Sequence, residues 1–151
     1  MSADDDQVEE EFRSLLEGLR TTLPGVQLVT AFLLTVPLYE TYDTLDRSER
    51  TAYYIAFVSS LLASLLLMAP SSHQRLRSGH SVARRHRSHL DTAVRIAVAG
   101  STIFGVAITA VAFMVSSIVL STGAAIAVAV TTALVCAWSW YYVPLVAFRG
   151  D

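Results

Sequence analysis

The chain has 151 residues, of which 53% are hydrophobic and 16% are charged, and its formal net charge is −2. Soluble domains carry about 25% charged residues, whereas residues 96–148 of this chain contain no Asp, Glu, Lys, Arg or His. A soluble helix keeps charge on its water-facing side, but the core of a bilayer excludes charge from every side. The composition therefore excludes an ordinary soluble domain and predicts an integral membrane protein of one domain.

Residues 1–22 are predicted to form a cytoplasmic tail and an amphipathic helix. The tail is acidic, with Asp4–Asp6 and Glu9–Glu11, whereas a signal peptide has basic residues before its apolar segment. We therefore expect the first hydrophobic segment to remain in the mature protein. Apolar residues recur in the helix at helical spacing, namely Val8, Phe12, Leu15, Leu16 and Leu19. Because its acidic residues would not attract anionic lipid, we expect this helix to pack on protein.

Residues 23–151 are predicted to cross the membrane four times, with spans at about residues 23–39, 52–69, 96–120 and 124–143. We expect Thr22 to cap the first span, with Pro24 at its first helical position, where the missing N–H costs nothing. Pro37 is expected to kink or finish that helix, and Pro70 to end the second span. The predicted fold class is an all-α, integral membrane four-helix bundle with an N-terminal amphipathic helix.

The arginines of the short loops predict the orientation. Nine of them share a side with both termini, whereas the loop between the first two spans has only Arg47 and Arg50. Since basic residues mark the cytoplasmic side, we expect a bacterial inner-membrane protein with both termini in the cytoplasm. In that first loop, Asp43–Arg47 and Asp46–Arg50 have i, i+4 spacing, which favours a short surface helix.

Small residues recur at every fourth position in three of the spans. Such rows let helix backbones approach closely, which is how membrane helices associate. The positions expected to pack helices, within one chain or between copies, are Ser60, Ser64, Ser101, Gly105, Ala129 and Ala133.

Span one contains the most polar side chains at membrane depth, namely Gln27, Thr30 and Thr35. A polar side chain that faces lipid is unfavourable, so we expect Gln27 to face the bundle and to bond another helix. A role in the passage of a solute or proton is the alternative. If Gln27 lined a water-accessible cavity, a carrier would be favoured; if it were buried against small residues, an accessory subunit would be.

The second loop is rich in arginine and histidine. Its arginines are expected to contact anionic headgroups of the inner leaflet or an acidic partner, and they are Arg75, Arg77, Arg84, Arg85 and Arg87. Nucleic acid is not expected, because aromatic residues are not interleaved with the basic ones. The four histidines have irregular spacing and no cysteine nearby, so no metal is expected. No nucleophile–base pair, phosphate loop or dinucleotide fingerprint occurs, so no catalytic residue or cofactor is expected.

Several short motifs, between about residues 15 and 105, resemble a family of actinobacterial membrane proteins known as domain of unknown function 6328. They are Gly25-Val26-Gln27, Ala31 to Pro37, Leu45-Asp46 with Arg50 and Tyr53, Ala69-Pro70 before Arg75, and Ala97-Val98-Ala99-Gly100. The resemblance implies four spans and an inner-membrane location, and it implies no activity, cofactor or catalytic residue.

These observations favour a non-enzymatic integral membrane protein, either a homo-oligomer or an accessory subunit of a membrane complex. The alternative is a minimal oligomeric carrier or channel for a small or lipophilic solute. Membrane lipids and a second membrane protein are the expected partners.

Overall fold

The computed structural model describes residues 3–77, 86–143 and 146, with side chains for most of them. Four long helices dominate these ranges: α1 (Ala3–Thr35), α3 (Arg47–Arg77), α4 (His86–Val119) and α5 (Thr122–Ala137), with the short α2 (Thr41–Thr44) before α3. A 3₁₀ turn, Val36–Leu38, follows α1, and a π-helical turn, Trp138–Tyr142, follows α5. No strand occurs in the described ranges.

Four segments are long and apolar enough to cross a membrane. They are Glu9–Leu38, Arg47–Ser72, Leu90–Val119 and Thr122–Tyr142. The predicted all-α fold with four hydrophobic spans is therefore confirmed.

Helix α1 runs without interruption through Pro24, whereas we expected the amphipathic helix to stop near Thr22 and a new helix to begin there. Its protein-facing side chains alternate in spacings of four and three: Phe12, Leu16, Leu19, Leu23, Val26, Thr30 and Leu33. This register stays in phase across the proline. One continuous helix therefore turns the apolar residues of both segments to the same side, and Pro24 removes only one backbone hydrogen bond.

Helix α3 also continues through a proline, since it reaches Arg77 rather than ending at Pro70 as predicted. Its buried row consists of Ala52, Ala56, Ser60, Ala63, Leu67 and Pro70. Because Pro70 belongs to this row, packing holds the helix together at the point where local preference would end it.

Helix α4 buries a different row of small residues from the one predicted. The sequence suggested every fourth residue from Ala97, which includes Ser101 and Gly105. The buried residues are Ala93, Ala97, Gly100, Phe104, Ala107 and Met114. At 3.6 residues per turn, a row at every fourth position drifts by about 40° per step, whereas alternate steps of four and three follow one side of the helix.

The chain divides into two compact units. The first comprises Met1–Ala31 and Ser60–Ile103, and the second comprises Phe32–Ser59 and Phe104–Asp151. In the first unit, α4 approaches α3 most closely at Gly100. A Cβ atom added there would lie 2.9 Å from Leu67 Cγ and 3.2 Å from Leu66 Cβ. Only glycine fits this approach without displacing a neighbour.

Candidate functional site

Three tyrosines and a phenylalanine form a cluster in the second unit, at the start of α3. The buried ring of Tyr53 lies edge-on to Tyr42 and Tyr54, with centroid distances of 5.5 and 5.4 Å, and it stacks on Phe57 at 6.0 Å. The Tyr42 hydroxyl donates a hydrogen bond to the Tyr54 hydroxyl at 3.1 Å. This bond is the main cause of the raised pKa of Tyr42, because ionisation would remove the donated proton. Aromatic pairs of this kind contribute about 0.5–1.5 kcal/mol each, so the cluster fixes α2 against the first turns of α3.

The hydroxyl of Tyr53 lies against the end of α1. It donates a hydrogen bond to the backbone carbonyl of Leu33 at 3.2 Å. In an α-helix that carbonyl would accept from the N–H of residue 37, but residue 37 is proline and has no N–H. Tyr53 therefore supplies a donor to a carbonyl that Pro37 leaves without one.

Helix α3 begins with a reciprocal pair of capping bonds. The Asp46 carboxylate accepts from the Glu49 backbone N–H at 2.8 Å, and the Glu49 carboxylate accepts from the Asp46 N–H at 2.9 Å. The Ser48 hydroxyl also donates to Asp46 at 2.7 Å. This arrangement is a capping box with Asp as its first residue. The bonds from Glu49 and Ser48 hold the pKa of Asp46 below its ordinary value of 3.8.

Beside the cap lies an open cavity of about 300 Å³, lined by Leu45, Arg47, Arg50, Thr51 and Tyr54. The Arg50 guanidinium carbon lies 5.3 Å from the centre of the Tyr42 ring, in a cation–π contact. The Thr51 hydroxyl donates to the Arg47 carbonyl at 2.8 Å. Among the described carboxylates, none forms an ion pair with Arg47 or Arg50, and both arginines line the cavity. The spacing of Asp43 and Asp46 suggested pairs with these arginines, but Asp46 caps α3 instead.

The polar residues of span one lie on two different sides of α1. Thr30 is buried, and its hydroxyl donates to the Val26 carbonyl at 2.9 Å. Thr35 is exposed and bonds the Phe32 carbonyl at 2.7 Å. Gln27 is exposed as well, which differs from the expectation that it faces the bundle. It therefore meets neither of the two conditions set for it, burial against small residues or a place in a water-accessible cavity.

The exposed side of α1 around Gln27 also carries small and apolar residues. Leu28 is 72% exposed and Phe32 is 49% exposed. Ala31 is exposed one turn after Gln27, and a Cβ atom added at Gly25 would meet no atom within 4 Å. We call Gln27, Leu28, Ala31 and Phe32 the outer face of α1.

The residues predicted to pack helices differ in burial. Ser60 is fully buried, Ser64, Ser101, Gly105 and Ala129 are half-buried, and Ala133 is exposed. In the second unit, a Cβ atom added at Gly105 would lie 3.2 Å from Trp140 Cζ3. Gly105 therefore faces an aromatic ring rather than a row of small residues.

The arginine-rich loop lies largely outside the described residues. This applies to Arg84 and Arg85, and to the side chains of Arg75, Arg77 and Arg87. The side chains of the four histidines in this loop also lie outside the described part of the chain. Among the described residues, no group of three His, Cys, Asp or Glu side chains could hold a metal ion.

The cap of α3 and the close approach at Gly100 each have a signal in the sequence that the predictions above did not use. Asp46-x-x-Glu49 before an apolar run is the pattern of a capping box. The Ala97-Val98-Ala99-Gly100 motif ends on the glycine at the close approach of α3 and α4. The contact between Tyr53 and Leu33 has no local signal, because the partners are 20 residues apart.

The model of a protein family, described as a family of unknown function (DUF6328), matches residues 2–144 of the chain. No curated protein and no solved structure matches the chain.

Proposed function

Since the chain belongs to the family of unknown function DUF6328, we propose from its own residues that it is a non-enzymatic membrane protein that assembles through the outer face of α1. The observation that carries this proposal is the exposure of Gln27 on a helix that can cross the membrane. The assembly is a homo-oligomer, and the rival is an accessory subunit that docks the same face on a different protein.

The depth of Gln27 makes its exposure costly. Span one ends at Leu38, eleven residues further on, which is about 16 Å at 1.5 Å per residue. That is half of a hydrocarbon core of about 30 Å. An amide without hydrogen-bond partners in hydrocarbon costs about 4–8 kcal/mol. A partner helix that supplies hydrogen bonds at this depth removes that cost.

A second copy of the chain has the right chemistry for this role. A glutamine amide carries both donors and an acceptor, so two Gln27 side chains related by a two-fold axis can bond each other. Ala31 lies one turn after Gln27 on the same face, and its small side chain leaves room for a second α1 helix to approach. The face is therefore self-complementary in hydrogen bonding.

Cysteine cross-linking of the full chain in membranes tests this proposal. After Cys136→Ala, Ala31→Cys on the outer face of α1 should cross-link between copies, whereas Leu65→Cys, which is also exposed but lies on α3, should not. Gln27→Leu should reduce the Ala31→Cys cross-link about tenfold, and Gln27→Asn, which keeps the amide, should retain more of it. Equal cross-linking at both positions, or no effect of Gln27→Leu, would overturn the proposal. A cross-link from Ala31→Cys to a different protein would favour the accessory subunit.

The proposal includes a location and an orientation. The chain lies in a bacterial inner membrane with both termini in the cytoplasm, supported by the excess of arginine on the side of the second loop. The loop arginines contact anionic headgroups there, with about 1 kcal/mol of attraction for each residue near the surface.

A further inference from the structure

We propose that the cavity beside the α3 cap binds a phospholipid whose headgroup carries both a phosphodiester and an ammonium group, as phosphoethanolamine lipids do. The site lies at the opposite end of α3 from the arginine-rich loop. None of its residues belongs to the outer face of α1, so it does not depend on the assembly proposed above. It faces the leaflet on the side of the first loop.

The donors around the cavity suit a phosphodiester. Arg47 and Arg50 both border it, and no described carboxylate pairs with either. Guanidinium groups bind phosphate oxygens through paired, charge-assisted hydrogen bonds. The Tyr54 hydroxyl accepts its bond from Tyr42, so its own hydrogen can be donated into the cavity. Two arginines and a tyrosine, each with a hydrogen-bond donor, therefore line one open space.

The contact of Arg50 with the Tyr42 ring restricts the arginine before any ligand arrives. A guanidinium group at 5.3 Å from the ring centroid is held by the ring face, and the Tyr42 ring is held in turn by Tyr53 and Tyr54. A side chain that is already placed loses less conformational entropy when it binds.

The position of the cavity favours a lipid over a free phosphate ester. The candidate membrane span on α3 begins at Arg47, and its first turn is charged, so we place the cavity where headgroups meet the hydrocarbon. Its lining includes the apolar side chain of Leu45. Below it on α3, Tyr54 and Val58 are half exposed, at 53% and 50%, and can contact an acyl chain. A volume of about 300 Å³ is at the lower end for small-molecule sites, which suits a headgroup.

The charges of the surrounding loop favour a zwitterionic headgroup over an anionic one. Glu40, Asp43, Asp46 and Glu49 lie in the same short stretch of chain as the two arginines, so four carboxylates oppose two guanidinium groups. At physiological salt, charges within about 8 Å still interact strongly. A headgroup with a net negative charge is repelled by this excess, whereas an ammonium group offsets it.

Native mass spectrometry of the full chain tests the site. Protein taken from vesicles with equal amounts of phosphatidylethanolamine and phosphatidylglycerol should retain the first in about tenfold preference at one site. Arg47→Gln with Arg50→Gln should abolish this preference, while Arg20→Gln with Arg95→Gln, at two exposed arginines that do not line the cavity, should leave it intact. If the first double variant does not fold, Arg47→Gln alone serves, because Arg47 takes no part in the tyrosine cluster.

The remaining outcomes count against the proposal. Equal retention of the two lipids, or a preference for phosphatidylglycerol, would overturn the zwitterionic assignment. The same preference in the Arg47 and Arg50 variants and in wild type would overturn the site. Full displacement of the lipid by soluble glycerophosphoethanolamine would show that the headgroup alone is recognised, and would overturn the lipid assignment.

Discussion

The Tyr53 hydroxyl donates to the Leu33 carbonyl at 3.2 Å, and thereby supplies the hydrogen bond that Pro37 cannot. The bond joins the end of the first span to the start of the second. The ring of Tyr53 is the centre of the tyrosine cluster, so the bond connects that cluster to the end of α1.

Replacing Tyr53 with phenylalanine should lower the free energy of unfolding by about 1–3 kcal/mol, because a buried carbonyl loses its donor. The ring contacts remain, so the loss reports the hydroxyl alone. Titration of the purified protein from mild detergent into a denaturing one measures the change. Tyr39→Phe is the matched control, because Tyr39 is 63% exposed and its hydroxyl should contribute little. Equal effects of the two substitutions would show that the bond to Leu33 does not stabilise the protein.

Replacing Gly100 with alanine should destabilise the protein by about 1–3 kcal/mol, the usual cost of overpacking. The added methyl group would lie 2.9 Å from Leu67 Cγ, so the Leu67 side chain or one of the two helices must move. Gly18→Ala is the control in another helix, because a Cβ atom at that position meets nothing within 4 Å. There the higher helix propensity of alanine should raise stability by about 1 kcal/mol or leave it unchanged. A Gly100→Ala variant as stable as Gly18→Ala would contradict the close approach.

The Asp46 cap should make stability depend on pH in the acid range. The pKa of Asp46 is lower in the folded protein than its ordinary value of 3.8. The Asp46 carboxylate therefore stabilises the fold at pH values above 3.8, the pKa expected in the unfolded chain. This stabilisation is lost as the pH falls through the lower pKa of the folded protein. Asp46→Asn keeps a capping oxygen but does not titrate, so it should lack this component of acid sensitivity. Asp46→Ala should be less stable than both at neutral pH. Detergent unfolding followed from neutral to acid pH distinguishes the three, and identical pH profiles for Asp and Asn would contradict the role of the carboxylate.

The proposed orientation predicts opposite accessibility for the two longer loops. In a Cys136→Ala background, Ser48→Cys should react with an impermeant thiol reagent added outside intact cells. Ser81→Cys, in the arginine-rich loop, should react only after the membrane is opened. Reaction of both positions from the same side would refute four spans with cytoplasmic termini.

The sequence was sufficient for the hydrophobic spans because exclusion of charge by a bilayer acts on each residue separately. It was less reliable at prolines. Pro24 and Pro70 were expected to begin and to end helices, yet both lie inside one. The local preference of proline is outweighed where a buried row continues in phase on both sides of it.

The candidate site was harder to predict because it depends on how helices are placed against one another. Gln27 was identified by its polarity, but the side of α1 that it occupies depends on which residues of the other helices pack against α1. Gly105 was chosen because small residues recur at every fourth position of α4. The close approach of α3 and α4 lies instead at Gly100, in the buried row whose spacing alternates between four and three residues. The cavity between Leu45 and Tyr54 requires α2 and α3 to be placed together, and no single segment encodes that.

The bond between Tyr53 and Leu33 also has a consequence for biogenesis. Leu33 leaves the ribosome 20 residues ahead of Tyr53, so the Leu33 carbonyl lacks this donor until Tyr53 has been synthesised. An orphan carbonyl is poorly tolerated in hydrocarbon but is satisfied by water at the interface. We therefore expect the end of the first span to stay at the water boundary until the second span arrives, and the two spans to insert as a pair.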